Sequence, residues 1–244
     1  MTMRSSQVIA TAAGAAGALV LGCGLISGSL TTITFGIPKK MYSLDTTDGQ
    51  RWKTPPGGIP AQPCGAGTPI ADCCAPAPGV TVDCQSYPLA CEAGTCTLGL
   101  RVEIPQSINL GMEAPEFKRV EGQSVAAIHL KAIHYDVVNN LNVDVPPIDI
   151  FLAPSDATSS THPGARKLGT VPLLPAGMSS RGDVVLVSGA KEIFASFARS
   201  YTVPFTVIAA TTVKVKGGTT PAGRLDMTID GEAQVEFTLA SVTD

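Results

Sequence analysis

Six cysteines crowd into a 45-residue segment, residues 53–97, that is too poor in apolar side chains to fold by hydrophobic burial. The segment also holds eight prolines and six glycines, and its six large apolar side chains cannot offset the conformational entropy of ordering it. Disulfides can, because each one that closes a loop of about 15 residues stabilises the fold by roughly 3 kcal/mol through the unfolded chain. We therefore expect three disulfides, with fifteen pairings open, among Cys64, Cys73, Cys74, Cys84, Cys91 and Cys96.

Two other roles for these cysteines fit their spacing less well. Cys91 and Cys96 are close enough for a zinc pair, but no second pair of suitable spacing accompanies them. A redox-active dithiol typically has the spacing C-x-x-C, which is absent. Because a bridge between neighbours is strained, the adjacent Cys73 and Cys74 are expected to bond to different partners. The segment is therefore predicted to be irregular, disulfide-stapled and free of metal.

The seventh cysteine, Cys23, ends an apolar stretch at the start of the chain. Arg4 precedes an uncharged Ala/Gly/Val/Leu-rich run over residues 5–22, which is the layout of a secretory signal peptide. The run ends in Val20-Leu21-Gly22-Cys23, which resembles the lipobox of bacterial lipoprotein signal peptides. The resemblance implies cleavage before Cys23 and attachment of acyl chains, such as palmitate, to that residue. Gly24, where a retention signal would have aspartate, implies transfer to the outer membrane.

Two alternatives to lipidation remain, an uncleaved membrane anchor and ordinary secretion. A spanning helix needs about 20 strongly apolar residues, and the alanines and glycines of this run are only weakly lipophilic. The predicted organisation is a signal peptide over residues 1–22 and a lipid-anchored tether over 23–52. The Cys/Pro/Gly-rich disulfide segment over 53–97 and a further domain over 98–244 follow.

Residues 98–244 carry the pattern of antiparallel strands. Leu98, Leu100, Val102 and Ile104 alternate with small or charged residues, and runs at 148–152, 202–216, 225–229 and 233–239 follow the same rule. Residues 125–138 change the apolar face midway, which predicts one long strand with a bulge. A short helix is predicted over about 190–200, a turn at Asp230-Gly231, and an additional edge strand over 29–35. The fold class is all-β, an antiparallel β-sandwich of about seven strands with one short helix.

The order of these elements resembles a known domain. A long strand, the Asn139-Asn140 turn, the strand at 148–152, Pro-Ala-Gly turns at 175–177 and 221–223, the helix and a final hairpin follow one another. This order resembles the water-stress and hypersensitive-response domain of late-embryogenesis-abundant proteins. The resemblance implies a β-sandwich without catalytic residues and a role in desiccation tolerance or in binding close to a membrane.

The sequence shows no set of residues suited to catalysis. His129 and His134 are five residues apart and point to opposite faces of an unbroken strand, although a bulge would bring them together. His162 lies in a polar loop. Nucleophile-elbow, P-loop, dinucleotide-binding and zinc-protease motifs are all absent. We therefore predict a protein that is not an enzyme, with no catalytic residue, cofactor or metal. Two alternatives are left open for Asp136, Asp144 and Asp149, a calcium site or an acidic pair.

The charge of the chain makes one class of partner unlikely. The net charge is −3 and basic residues come only singly or in pairs, so nucleic acid is not an expected partner. We expect a non-enzymatic envelope lipoprotein, a structural or binding module whose acyl chains at Cys23 hold it in the membrane and whose partner is an envelope protein. The alternative is a carrier of lipid or another apolar ligand, held between the sheets or beneath the helix that bears Phe194 and Phe197.

Overall fold

Ten strands in two antiparallel sheets make up most of the described chain, as the all-β prediction requires. The computed structural model describes residues 30–49, 51–55, 58–61, 63–65, 73–74, 82–120 and 124–238. The strands are β1 (Leu30–Asp45), β2 (Leu89–Glu92), β3 (Thr95–Ile108), β4 (Ser124–Asn139), β5 (Ile148–Pro154), β6 (Arg166–Val171), β7 (Ser179–Asp183), β8 (Val185–Leu186), β9 (Phe205–Lys216) and β10 (Arg224–Thr238). The helices are α1 (Leu110–Glu113), a 3-10 helix (Pro115–Val120) and α2 (Ala190–Ala198).

Two sheets face each other across an apolar core. The first has the order β1-β10-β4-β7 and the second the order β2-β3-β9-β5-β6-β8. In β3 the side chains of Leu100, Val102 and Ile104 are buried and that of Arg101 is exposed, which confirms the alternation predicted for this strand. Helix α2 contacts β4, β5 and β6 and buries Phe194, so it closes one open side of the sandwich and confirms the predicted helix.

Strand β4 contains the predicted bulge. Leu130 pairs with Ala233 and Ala132 pairs with Glu232, so Lys131 is the extra residue on its strand. An extra residue shifts the side-chain alternation by one position. The apolar side chains on both sides of the bulge therefore face the same core, and both strand histidines lie on the outer face.

Strand β1 corrects the prediction of a tether over residues 23–52. The edge strand expected over 29–35 is present but runs for 16 residues, and it pairs with β10 along nearly its whole length. Phe35, Tyr42 and Leu44 are buried in the core. Because these side chains supply core contacts, the chain is part of the sandwich from Leu30 onward, well before the predicted domain start at residue 98.

The turn predicted at Asp230-Gly231 is absent, since β10 continues through both residues. Gly231 instead allows the backbones of two strands to approach closely. A Cβ at this position would lie 2.6 Å from the carbonyl oxygen of Ala132 and 3.1 Å from Cδ1 of Ile37. Glycine in a strand interior often marks such a contact rather than a turn.

Aromatic side chains form a cluster on the first sheet around Phe35 of β1. The ring of Phe117, on the 3-10 helix, lies 4.6 Å from that of Phe35 and 4.7 Å from that of Tyr201. Such ring pairs contribute about 0.5–1.5 kcal/mol each beyond the area that they bury. This cluster seals the core next to the first residues of β1.

Candidate functional site

The six predicted cysteines form three disulfides among themselves, as the sequence indicated. The pairs are Cys64–Cys91, Cys73–Cys96 and Cys74–Cys84, with Cα–Cα distances of 5.8, 5.5 and 5.8 Å. The adjacent cysteines bond to different partners, which confirms that expectation. Cys23 lies outside the described residues.

The β2–β3 hairpin carries two of the three disulfides. Cys91 and Cys96 are directly opposite each other in this hairpin, yet each bonds to the segment that precedes it, through Cys64 and Cys73. The sulfurs of Cys64, Cys73 and Cys96 lie within 4.8 Å of one another and are buried. Because all three are oxidised, they offer no thiolate to a metal, and the zinc interpretation of Cys91 and Cys96 does not apply to this state.

The described residues of the disulfide segment lie at one end of the sandwich, and we call these residues (58–61, 63–65, 73–74 and 82–97) the disulfide cap. The N–H of Gly217 donates to the carbonyl of Cys96, and the N–H of Gly218 donates to the carbonyl of Ile59. A side chain at Gly217 would collide with the carbonyl of Pro60. The cap therefore seals the turn that follows β9.

The proposed calcium trio is not assembled. Asp136 in the first sheet pairs with Arg181 at 2.7 Å, whereas Asp149 in the second sheet pairs with Lys167 at 2.7 Å. Asp144 accepts a backbone N–H in a loop. Segments that are neighbours in sequence belong to different sheets here, so the three carboxylates point to separate surfaces. In the described part of the chain no cluster of acidic side chains meets metal-ligand distances.

Each histidine has its own separate contact. Nε2 of His129 lies 3.3 Å from Oε1 of Glu236, and Nδ1 of His134 lies 2.6 Å from Oδ1 of Asp183. Nδ1 of His162 accepts a backbone N–H of its own loop at 3.0 Å. The predicted bulge turns the two strand histidines to the same outer face, and both remain about half exposed.

A groove of about 280 Å³ lies on the outer face of the second sheet. It follows β9, and we call it the β9 groove. Its floor is made by small side chains of β9, Ala210 and Thr212, and one bank is Arg101 of β3. The opposite bank is formed by Asp149 and Phe151 of β5. Small residues on a central strand between larger ones produce this depression.

The β3 bank is held rigid by hydrogen bonds. Nε and Nη2 of Arg101 donate to Oε1 of Glu103 at 3.1 and 2.7 Å, and Nη2 also donates to the hydroxyl of Ser160 at 2.7 Å. Burial alone raises the pKa of Glu103. Hydrogen bonds from Ser160, Ser159 and Arg101 outweigh that effect, so the pKa is lowered. The carboxylate therefore stays charged and keeps the guanidinium in place.

The β5 bank is fixed in the same way. Oδ1 of Asp149 forms an ion pair with Nζ of Lys167 at 2.7 Å and accepts a hydrogen bond from the hydroxyl of Thr170 at 2.9 Å. At the end of this bank, the hydroxyl of Thr211 donates to the carbonyls of Pro146 and Pro147. Side chains that are already held by a second set of contacts lose little entropy when a ligand binds.

Sequence reasoning missed this groove. The patterns identified β3, β5 and β9 as strands, but they did not reveal that β9 lies between the other two. The available signal was Ala210 and Thr212, two small residues at successive outward positions of this strand.

Between the described strands the interior of the sandwich is nearly filled. Two cavities between the sheets measure about 20 Å³ each, which is room for about one water molecule. Tyr42 lines both, and its hydroxyl is 3.5 Å from the carbonyl oxygen of Val207. Lys40 lines one of them, and its Nζ pairs with Oε2 of Glu113 of α1 at 2.6 Å. Phe194 belongs to this packed core.

Comparison with known proteins identifies no family for this chain. No protein-family model matches, and no curated protein matches. Among solved structures, one of desmodium yellow mottle tymovirus has 9% identity, 99% coverage of this chain, 100% of that chain and a TM-score of 0.29. One of turnip yellow mosaic virus has 9% identity, coverages of 98% and 93% and a TM-score of 0.30. One of the Gt strain of infectious bursal disease virus has 11% identity, coverage of 93% of this chain and 37% of that chain, and a TM-score of 0.30. At these TM-scores the likeness supports no statement about fold or function.

Proposed function

We propose that this protein is a non-enzymatic bacterial envelope lipoprotein, a structural or binding module held to the outer membrane by acyl chains on Cys23. The observation that carries the proposal is the division of the seven cysteines. Six of them pair among themselves, and the one left over is the residue at which the lipobox resemblance implies lipidation.

The disulfides support export from the cytoplasm. Such bonds persist in oxidising compartments and are rare where thiols are kept reduced. Two of the three involve sulfurs buried at the cap, where they link the β2–β3 hairpin to the preceding segment. A cap of this kind suits a chain that matures outside the cytoplasm.

Acyl chains are sufficient to hold such a protein at a membrane. Each buried methylene contributes about 0.8 kcal/mol, and stable anchoring takes two lipid chains rather than one. In the described part of the chain, no helix has the length and apolar character that crossing a membrane requires. The basic residues are too scattered for headgroup attraction to replace the lipid.

The packed interior favours a binding or structural module over a carrier of apolar ligands. Cavities of about 20 Å³ lack the space of an acyl chain, whereas ligand pockets typically measure 300–1,000 Å³. A carrier would have to separate its sheets to load. A module that binds at its surface needs no such change, and this agrees with the membrane-proximal role implied by the water-stress domain resemblance.

The intact mass of the protein, extracted with detergent from the envelope of a Gram-negative host, tests the proposal. We expect a chain that begins at Cys23 and carries the added mass of acyl groups. Cys23→Ala should prevent lipidation and leave an uncleaved or soluble protein, whereas the control Ser27→Ala should be lipidated normally. A mature chain that begins at another residue, or membrane retention by mature Cys23→Ala, would refute the anchor.

Thiol titration gives an independent check on the cysteines. The unfolded, unreduced mature protein should contain no free thiol, because six cysteines are oxidised and the thiol of Cys23 carries lipid. Two or more free thiols would contradict both the export argument and the assignment of the disulfides.

A further inference from the structure

We propose that the β9 groove binds an uncharged glycan chain. This ligand class rests on the proposed role as a binding module and does not depend on the lipid anchor. It starts from the shape of the groove. At about 280 Å³ the volume approaches the lower limit of ordinary ligand pockets, which suits a short segment of a longer chain.

The groove is open at one end only. On its outer face, Ile208 of β9 is fully buried beneath the loop that follows β5, against Ala157. Beyond Thr212 the same face continues to Lys214, which is exposed and pairs with Glu92 at 2.7 Å. A linear ligand can therefore lie along Ala210 and Thr212 and leave towards the disulfide cap.

The charges of the groove favour a neutral ligand. Arg101 is neutralised by Glu103 on one bank, and Asp149 by Lys167 on the other. The banks are two strand spacings apart, about 10 Å. An ionic ligand would meet both signs of charge at similar distances, and in a solvent-exposed groove such opposed interactions nearly cancel.

The groove has free hydrogen-bonding groups of both kinds, which suits a ligand that can both donate and accept hydrogen bonds. Within the described residues, the hydroxyl of Thr212, Oδ2 of Asp149 and Nη1 of Arg101 have no hydrogen-bond partner. The threonine hydroxyl can donate and accept, the carboxylate oxygen accepts, and the guanidinium nitrogen donates. Sugar hydroxyls satisfy all three kinds without carrying charge.

Apolar surface in the groove fits the carbon face of a sugar ring. Phe151 is half-buried and exposes part of its ring, and the rings of Pro146 and Pro147 continue that bank. Aromatic and proline rings are rigid, so little entropy is lost when a pyranose packs on them. The combination of flat apolar contacts and fixed polar groups is what recognition of a sugar requires.

An extended peptide is the less suitable occupant. Peptides that bind sheets usually add a strand to a free edge. Strand β9 is paired on both sides, with β3 and with β5, so its backbone groups are already used. A peptide in this groove would leave its own backbone without sheet partners.

Titration calorimetry with the full-length protein in detergent micelles tests the proposal. The probes are cellotetraose and chitotetraose, two uncharged β-1,4-linked oligosaccharides. We expect saturable binding of at least one probe. Asp149→Asn and the isosteric Thr212→Val should each weaken it about tenfold, a change that calorimetry resolves. The matched control is Asp226→Asn, a paired carboxylate on the outer face of the other sheet, and it should leave the affinity unchanged.

Three results would overturn the glycan site. The first is no saturable binding of either probe at about 5 mM. The second is binding that neither groove substitution weakens while circular dichroism shows both variants folded. The third is saturable binding of an uncharged octapeptide in place of the sugars, which would identify a peptide groove. Lipidation is measured separately by mass, so failure here is distinguishable from failure of the anchor.

Discussion

Replacing Asn139 by Ala is expected to destabilise the protein by about 3–4 kcal/mol, an unusually large effect for a polar residue. Asn139 ends β4 and its side chain is fully buried. Its Nδ2 donates to the carbonyls of Val143, Leu174 and Pro175 at 3.2, 3.1 and 3.0 Å, and its Oδ1 accepts the N–H of Leu141 at 3.0 Å. One side chain thus joins two loops of the sandwich.

The magnitude follows from which groups the substitution leaves without partners. The Leu174 carbonyl also accepts the N–H of Val145, and Pro175 is exposed to water, so both keep a partner. The N–H of Leu141 and the carbonyl of Val143 are on buried residues and have no such replacement in the described structure. Each buried group left unsatisfied costs about 1–3 kcal/mol, so the two together cost about 2–6 kcal/mol, and the expected 3–4 kcal/mol lies in the middle of that range.

Urea unfolding with the disulfides intact measures this change, and the chain's single tryptophan, Trp52, is a buried fluorescent reporter. The control is Asn140→Ala, at the exposed neighbouring position, which should change stability by less than about 0.5 kcal/mol. A loss below about 1 kcal/mol for Asn139→Ala would refute the reasoning, because the unsatisfied groups would then have found water.

Asn139→Asp separates the hydrogen-bond argument from simple packing. A carboxylate at this position faces carbonyl oxygens and is buried, so its pKa is expected to rise above that of the unfolded chain. The folded state then binds more protons than the unfolded state, and the stability of this variant relative to the wild type should increase as pH falls. A relative stability that decreases with falling pH would contradict this placement of the amide.

Two further substitutions test the interior and the close strand approach. Burial alone raises the pKa of Glu113, but hydrogen bonds from Lys40 and from a backbone N–H, together with the charge of Lys40, lower it overall. The stability that this pair contributes should therefore be fully present above the unfolded pKa, about 4.3, and should be lost as pH falls through the folded pKa. Lys40→Met, measured by urea unfolding, should cost at most about 1 kcal/mol at pH 7, since the pair is partly exposed and the new side chain lies at an apolar cavity. The variant should also flatten the dependence of unfolding free energy on pH below about pH 5. An unchanged pH dependence would argue against the pair. Gly231→Ala should cost about 2 kcal/mol in thermal or urea unfolding because its Cβ meets a carbonyl at 2.6 Å, whereas Gly36→Ala, with nothing within 4 Å, should be neutral or slightly stabilising; equal effects would refute the close-approach argument.

Features within one segment were predictable from the sequence. The bulge in β4 follows from the change of apolar face between Leu130 and Ile133, and the disulfide set follows from six cysteines in a segment without a core. Both depend on local chemistry, the alternation of side chains along a strand and the entropy of an unfolded loop.

Features that depend on which strands become neighbours were not predictable. The glycine at 231 is compatible with a turn in sequence, and only the approach of β4 and β1 shows that it is a contact. The same holds for the β9 groove, whose banks come from residues 101 and 149–151 and whose floor comes from residues 210–212. Likewise, Asp136 and Asp149 look like one cluster until the sheets separate them. A single sequence specifies local alternation but not which strands pair.

The proposed anchor and the strand directions together place the groove relative to the membrane. Leu30 begins β1 seven residues after Cys23, a span of at most about 25 Å, so the end of the sandwich that carries Leu30 is next to the bilayer if Cys23 is lipidated. Across the core, Leu44 lies near Val102 of β3, and Ile37 lies near Ile108 at the other end of that strand. The disulfide cap, at the turn after β9, is therefore at the end of the sandwich opposite Leu30. Because the β9 groove is closed on the Ile208 side and opens towards the cap, its ligand enters from the side away from the anchoring membrane. A glycan bound there would belong to a neighbouring layer of the envelope and not to the lipid surface that holds the protein.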